Sequence, residues 1–463
     1  FLLVYSPHFT YSFPFHVDEW HHIHEALSFG DLSAYANKPA GSYFRFSGAE
    51  LGFYLFLFLI SRLFDLVTVY QFLPALWMVV GSLAIFFIVR QKTGGDFTVA
   101  LATVFFFATI KSNVNLLGPW FLTPLSFAIP FILLYFYFFE RGVDEQSPRF
   151  LLIGAGLMGL LVVIHPPSIL FALPILALFL IFRWRMVIRF PLVPIVFALV
   201  PLLGLLVYKF GMSVSWAELI PRIMKDLVFP RGWGVLEVRN SIFEVYSLVP
   251  FILAMAGALV LLWHRAPAKR YLLYLLWPAL TLIMVIIYRL SGYSFFSPYQ
   301  RNFFYLALGL PILSAIGLVF VVSWLAGFWR GWLVIPAVLL IVIATLGPYY
   351  VAPRNLEVYR LIDHDDYLTL LELKTLPSGK VMAPLDFSMA LYPVAGQQEV
   401  GGLAFYGNQS LVKNFFEAKD CSTRQKILRS AKALYVVSPE PFDCGWLLLS
   451  HSGNRYIYSV KPQ

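Results

Sequence analysis

A polytopic α-helical membrane protein, ending in a small α/β domain, is the fold class that this sequence predicts. Three observations predict it. Of 463 residues, 59% are hydrophobic and only 13% charged, where a soluble domain carries about 25% charged residues. Many apolar runs approach or exceed the roughly 18 residues that a helix needs to cross a bilayer. The runs are continuous rather than alternating, which excludes a porin-like barrel. The same composition excludes a soluble enzyme, a disordered chain and a coiled coil. Aromatic residues make up 18% of the chain, with 12 Trp and 25 Tyr, as suits belts at the two membrane interfaces. The net charge of +9 is read as loop charge on one side of a membrane, not as a nucleic-acid surface, because it sits in short clusters between apolar runs.

In chain order, Phe1-Leu2-Leu3-Val4-Tyr5 reads as the tail of a longer first helix. Residues 7–48 form an acidic outer loop. Residues 49–66 are apolar but interrupted by Arg62 and Asp65, and are read as a re-entrant or interface-lying helix. Spans are expected at 71–90, 97–111, 122–139, 151–165, 168–183, 190–208, 246–263, 271–289, 302–323 and 332–348, which with the first helix makes roughly 11 transmembrane helices. Arg90, Lys92, Arg141, Arg149, Arg183, Arg185, Arg189, Arg265, Lys269, Arg270 and Arg330 all fall on alternate loops. The positive-inside rule assigns those loops to the cytoplasm. The loops 112–121, 165–167, 209–245 and 290–301, the N-terminal 1–70 and everything after about 349 then face outward.

Two domains follow: a transmembrane domain over 1–349, and an extracytoplasmic α/β domain over 350–463. The second is compositionally distinct. Lys380–Ala383, Ala433–Val437 and Asn454–Val460 read as strands, and Tyr367–Thr375 and Thr423–Ala431 as helices. Cys421 and Cys444 are the two cysteines of the chain. An oxidising outer compartment suits a disulfide between them, with two unpaired thiols as the alternative. Asn408-Gln409-Ser410 matches an N-glycosylation sequon, a pattern that also recurs by chance.

Four polar constellations are expected on the outer side. The first is Phe15-His16-Val17-Asp18-Glu19-Trp20-His21-His22-Ile23-His24-Glu25. Charge beside a bilayer is costly unless it acts or faces water, and a partly desolvated carboxylate can serve as a general base. Asp18 and Glu19 are therefore the catalytic candidates. A solvated loop, or Asp18 capping a helix over 19–29, is the alternative. The histidines do not form a His-Glu-x-x-His zinc motif. A hard divalent cation, Mg or Mn, held by Asp18 or Glu19 with substrate oxygens is the metal reading that carboxylates favour. His21, at i, i+4 from Glu25, is a further ligand candidate, and interfacial histidines without a ligand role are the alternative. No cofactor is otherwise expected. The second constellation is Ile164-His165-Pro166-Pro167, either a plain turn or a turn that presents His165 to a phosphate or hydroxyl. The third is loop 209–245, with Trp216, Leu219, Ile220, Ile223, Leu227 and Val228 at helical spacing, then Pro230-Arg231-Gly232-Trp233-Gly234 and Arg239. It reads as an interfacial amphipathic helix and hinge, or as a simple connection. The fourth places Arg289, Tyr293 and Arg301 around one outer loop, where guanidinium groups suit an anionic head group, with snorkelling to lipid phosphates as the alternative.

The order of these parts, with Gln300-Arg301-Asn302-Phe303-Phe304-Tyr305 opening a late span, resembles the GT-C superfamily of integral-membrane glycosyltransferases. That group includes protein O-mannosyltransferases, the lipid A aminoarabinose transferase, the oligosaccharyltransferase catalytic subunit and bacterial relatives of the RgtA/B/C/D type. The resemblance spans most of the chain. It implies an acidic pair at Asp18-Glu19 and a late arginine at Arg301. It also implies a polyprenyl-phosphate sugar as donor, an acceptor glycan, lipid or protein at the outer face, and transfer with inversion. In that scheme Asp18 is base or orienter, Glu19 supports it, and Arg301 with Arg289 or Arg239 meets the departing phosphate. The chain departs from the family pattern in three places. Only Lys38-Pro39-Ala40-Gly41 stands where a Lys-Pro-Pro-Leu-like stretch often follows the acidic loop. Loop 112–121 contains no Asp or Glu, and no Trp-Trp-Asp-Tyr-Gly sequence is present. A transporter or flippase of lipid-linked sugars, which would favour inverted repeats and midplane charges, and a non-catalytic relative are the competing readings.

Overall fold

The computed structural model describes residues 1–28, 50–112, 117–206, 215–218, 221, 225, 227–231, 241–264, 269–328, 331–351, 359–403 and 407–460. The helices are α1 (Leu2–Tyr5), α2 (Val17–Ser28), α3 (Leu51–Ser61), α4 (Leu66–Tyr70), α5 (Leu73–Lys92), α6 (Phe97–Ala108), α7 (Pro124–Asp144), α8 (Pro148–Ile164), α9 (Pro166–Phe182), α10 (Trp184–Arg189) and α11 (Leu192–Leu206). Strand β1 (Val228–Pro230), α12 (Ile242–Val245), α13 (Leu248–Trp263), α14 (Leu272–Ser291), β2 (Tyr293–Phe295), α15 (Tyr299–Gly309), α16 (Pro311–Phe328) and α17 (Val334–Val351) follow. The remaining elements are α18 (His364–Thr375), β3 (Lys380–Met382), β4 (Gln398–Glu399), α19 (Gln409–Glu417), α20 (Cys421–Ala431), β5 (Ala433–Ser438), β6 (Leu447–Ser452) and β7 (Arg455–Ser459), with short turns between. The chain divides into two compact units: Phe1–Phe9, Lys38–Phe53 and Phe72–Asn355 in the first, and Thr10–Asn37, Tyr54–Gln71 and Leu356–Gln463 in the second.

The first unit is helical. Among the described residues, four stretches are long and apolar enough to cross a membrane by length and composition: Leu73–Lys92, Pro124–Asp144, Leu272–Ser291 and Tyr299–Gly327. Shorter apolar helices of 10–17 residues stand at most of the other expected spans. The expected span 302–323 is two helices, α15 and α16, that meet at Leu310. Pro311 lacks the N–H that would continue the helical hydrogen bonding across the junction. Leu76, Val80, Leu83 and Phe87 form one exposed apolar stripe along α5; such a face belongs against lipid rather than water. Two glycines let α13 and α16 touch: a Cβ at Gly257 would lie 2.0 Å from the Leu313 carbonyl oxygen, and one at Gly317 1.9 Å from that of Leu253. Small residues at a helix crossing are how membrane helices pack closely.

At one end of these helices, basic loops expected on a common side do meet. Lys92 pairs with the buried carboxylate of Glu140, Arg183 Nε lies 3.0 Å from Asp144 Oδ1, and Lys92 Nζ donates to the Arg270 carbonyl at 2.9 Å. At the other end, β1 and β2 form a two-stranded antiparallel ribbon, so parts of loops 209–245 and 290–301 adjoin. The amphipathic helix expected within 209–245, its glycine hinge and Arg239 lie mostly or wholly outside the described residues.

The apolar segment expected over 49–66 is an 11-residue helix, α3, ending at Ser61. It is about 16 Å long at 1.5 Å per residue, roughly half of a 30 Å hydrocarbon core. Asp65 then caps α4 by accepting from Thr68 N at 3.2 Å.

The second unit contains a five-stranded sheet in the order β4-β3-β5-β7-β6. Strand β3 runs parallel to β4 and β5, and β7 antiparallel to β5 and β6. Its core gathers Met382, Val412, Phe415, Leu428, Val436 and Tyr458. The expected strands and helices stand within a few residues of their places. Strands β4 and β6 and helix α19 are additional. Cys421 and Cys444 are joined by a disulfide, with Cα atoms 5.3 Å apart.

Candidate functional site

The acidic motif sits in the second unit at the start of α2. The helix begins at Val17, and its cap is not Asp18. His16 Nδ1 accepts the Asp18 N–H at 3.1 Å, while Glu19 Oε2 accepts the N–H of Phe15 at 2.9 Å and of His16 at 3.2 Å. The Glu19 bond is the return half of a capping box, while the His16 ring accepts from the second helical residue rather than the third. Accepting at Nδ1 requires that nitrogen unprotonated. Burial, which lowers the His16 pKa against the raising effect of Asp18, agrees. The 3.7 Å approach of His16 Nδ1 to Asp18 Oδ2 is therefore a contact with a neutral ring rather than an ion pair. The two carboxylates are thus in different environments. The side chain of Asp18 is 39% exposed, whereas Glu19 is 1% exposed and committed to its own helix start. Further along α2, His21, His22 and Glu25 are buried; His22 Nδ1 lies 3.2 Å from Tyr54 Oη, and the His24 ring lies tilted against that of Tyr392, centroids 4.4 Å apart. Among the described residues no three His, Cys, Asp or Glu side chains come together as a metal-binding group. One Glu19 oxygen is already occupied by two amides.

The second cluster lies in the first unit. His165 ends α8 and precedes α9, because Pro166 and Pro167 suit the first turn of a helix and not the last. Its Nε2 lies 2.7 Å from Arg301 Nη1, its Nδ1 lies 2.7 Å from Ser168 Oγ, and Ser168 Oγ lies 3.1 Å from Tyr305 Oη. A guanidinium can only donate, so Nε2 accepts and Nδ1–H donates to Ser168. His165 is neutral in this chain of bonds. Arg301 and Tyr305, one turn apart on α15, share a face. Tyr305 is fixed by stacking on Phe171 at 3.7 Å, and its carbonyl accepts from Trp277 Nε1 at 2.9 Å. Among the described residues, the guanidinium of Arg301 bonds to His165 through Nη1.

Of the other expected residues, Arg289 donates through Nε to Tyr299 Oη at 2.7 Å, and Tyr293 is exposed on β2. Arg239 is outside the described residues. The structure brings His165 and Arg301 together; Asp18 and Glu19 belong to the other unit. Ser168 and Tyr305 were missed by the sequence reading. Their signal was helical spacing: i, i+3 from His165 and i, i+4 from Arg301. Lys111 was also missed. It is buried and donates to the Phe243 carbonyl at 2.6 Å.

Comparison with known proteins places this architecture. The family profile for dolichyl-phosphate-mannose-protein mannosyltransferase matches residues 51–208. No curated protein matches the chain. Among solved structures, the oligosaccharyltransferase of Archaeoglobus fulgidus in its apo form aligns with a TM-score of 0.60 at 14% identity, over 93% of this chain and 66% of that one. The same archaeal enzyme, AglB, in complex with an inhibitory peptide and a dolichol-phosphate aligns at 0.54 and 14% identity, with the same coverage. ArnT of Cupriavidus metallidurans in the apo state aligns at 0.52 and 15% identity, over 89% of this chain and 88% of that one. The chain thus spans just under two thirds of the length of the archaeal enzyme. The fold is that of the GT-C glycosyltransferases, as the sequence resemblance implies.

Proposed function

We propose that the chain is a multi-pass membrane glycosyltransferase that moves a sugar from a polyprenyl-phosphate donor to an acceptor glycan, lipid or protein at the outer face of the membrane. About eleven crossings and an extracytoplasmic C-terminal domain belong to this reading. The observation that carries it is Arg301, held at the end of a membrane-type helix by a neutral histidine.

In the proposed reaction the acceptor O–H loses its proton to Asp18 as its oxygen attacks the anomeric carbon. The bond from that carbon to the phosphate oxygen breaks, and the bonding pair leaves with the lipid phosphate. Attack opposite the leaving group inverts the anomeric centre. Arg301 stabilises the charge that grows on the phosphate, where a donor aimed at developing charge is worth a few kcal/mol. Arg289 and Arg239 are the further phosphate candidates. The sequence reading put His165 itself on a phosphate or hydroxyl. With both ring nitrogens engaged, we assign it instead to the support of Arg301. Likewise the cap bonds of Glu19 support a positioning part, with Asp18 as the base. The dolichol-phosphate bound by AglB supports a lipid-linked donor.

The test is transfer from a synthetic polyprenyl-phosphate sugar by the purified protein. Asp18→Asn lowers the rate by about two to four orders of magnitude, the usual worth of a general base, while the protein still folds. A wild-type rate in that variant removes Asp18 from the mechanism. Donor translocation without transfer would instead favour the flippase reading.

A further inference from the structure

We infer that Arg360 is a positioning residue for the Asp18 carboxylate, holding in place the segment 10–16 from which α2 starts. The inference rests on the assignment of Asp18 to the acceptor side of the reaction proposed above. Arg360 lies in the second unit, as does that segment. Its Nη2 donates to Thr10 Oγ1 at 2.9 Å, and the guanidinium carbon stands 5.0 Å from the ring centre of Tyr11 and 6.0 Å from that of Phe15. Two residues on, the Ile362 carbonyl accepts the Tyr11 hydroxyl at 2.9 Å. Tyr359 and Tyr367 flank these contacts, against the rings of His16 at 6.1 Å and Phe13 at 5.0 Å.

Arginine suits this place. Its planar group covers aromatic faces while its in-plane N–H groups still donate. The frame connects to Asp18 through the cap. Phe15, under the guanidinium, gives its N–H to Glu19; His16 gives its own to the same oxygen; and the His16 ring accepts the N–H of Asp18. Residues 10–16 contain no helix or strand that would hold them by itself. Removing the guanidinium frees this stretch and, with it, the position of Asp18. Misplacement of a reacting group by about 1 Å costs on the order of a hundredfold in rate.

The experiment uses the full chain in detergent, with Arg360→Ala and Arg360→Lys. It measures transfer kinetics together with hydrogen exchange at individual amides. Arg360→Ala is expected to lower kcat by at least about tenfold while the donor KM stays within about twofold. Exchange at the Phe15, His16 and Asp18 amides rises, and exchange in β5 and β7 stays unchanged. Arg360→Lys, which keeps a cation over the rings but loses the planar donor group, recovers only part of both. Unchanged exchange at those three amides overturns the inference whatever the rate, and so does a rise shared equally by β5 and β7. Should Arg360→Ala not fold, Tyr11→Phe deletes one hydroxyl only and must itself raise exchange at the same amides; wild-type exchange there overturns the inference. Full transfer by Asp18→Asn would defeat the proposed reaction separately, since that result is independent of the exchange data.

Discussion

At the scale of single residues, environment separates side chains that look alike in the sequence. Asp18 and Glu19 are adjacent acids, yet one is partly exposed and the other is buried and closes a helix start. Glu19→Gln keeps an acceptor for the Phe15 and His16 amides, so it is expected to preserve folding and to reduce transfer far less than Asp18→Asn. Glu19→Ala removes the cap and is expected to cost about 1 kcal/mol of stability, read as a lower Tm. The same logic governs the basic cluster. Arg301→Ala is expected to lower kcat by about 10²–10³, as for loss of one charge-stabilising donor. Ser168→Ala removes the bond that fixes the His165 tautomer, so its loss is smaller and appears in kcat more than in the donor KM. Equal losses in the two variants would contradict a supporting place for Ser168. Of this cluster, Arg301 and His165 were legible in the sequence from an arginine on an unfavoured side and a His-Pro-Pro break. Ser168 and Tyr305 were not, because their helical spacing from His165 and Arg301 singles them out only once the pairing across 137 residues of sequence is known.

At the scale of elements, close approach and burial decide. The crossing of α13 and α16 depends on Gly257 and Gly317, whose missing side chains admit the opposite backbone. Gly257→Ala would drive a methyl group into the Leu313 carbonyl, so a loss of about 1–3 kcal/mol or more is expected. Gly156→Ala, with nothing within 4 Å of its Cβ position, leaves Tm unchanged and serves as the control. In the α/β sheet, burial first, with the charge of Glu25 also contributing, pushes the Glu399 pKa from 4.5 up to about 7. The folded state therefore binds the proton more tightly than the unfolded chain. The stability that this group contributes is full below about pH 4.5 and falls as pH rises to about 7. Glu399→Gln is expected to flatten that slope in thermal melts of the protein; an unaltered slope would assign the pH dependence elsewhere.

At the scale of the whole molecule, charge placement supports the multi-pass reading. Lys92 and Glu140 pair at a helix end with side chains 11% and 1% exposed, alongside the Arg183–Asp144 pair. Removing one partner of a buried pair strands the other charge. Glu140→Ala is therefore expected to cost about 3–5 kcal/mol, and Lys92→Met combined with Glu140→Leu to recover most of it. Thermal stability in detergent checks both. The same loops carry the arginines that set the proposed orientation.

The apolar runs, the alternate-loop arginines and the late Gln300-Arg301-Asn302 opening were enough by themselves to point to a mostly helical chain with apolar helices and a GT-C-like fold. Each of those properties is local and periodic, fixed by the length and chemistry of a continuous segment. The tertiary structure alone decided that Glu19 caps its helix while Asp18 stays partly exposed, that His165 spends both nitrogens on neighbours, and that residues 10–37 gather with 356–463 in one unit. Those outcomes depend on which distant segments share a surface. Burial, tautomer and hydrogen-bond partner are properties of that surface, and no short stretch of sequence encodes them.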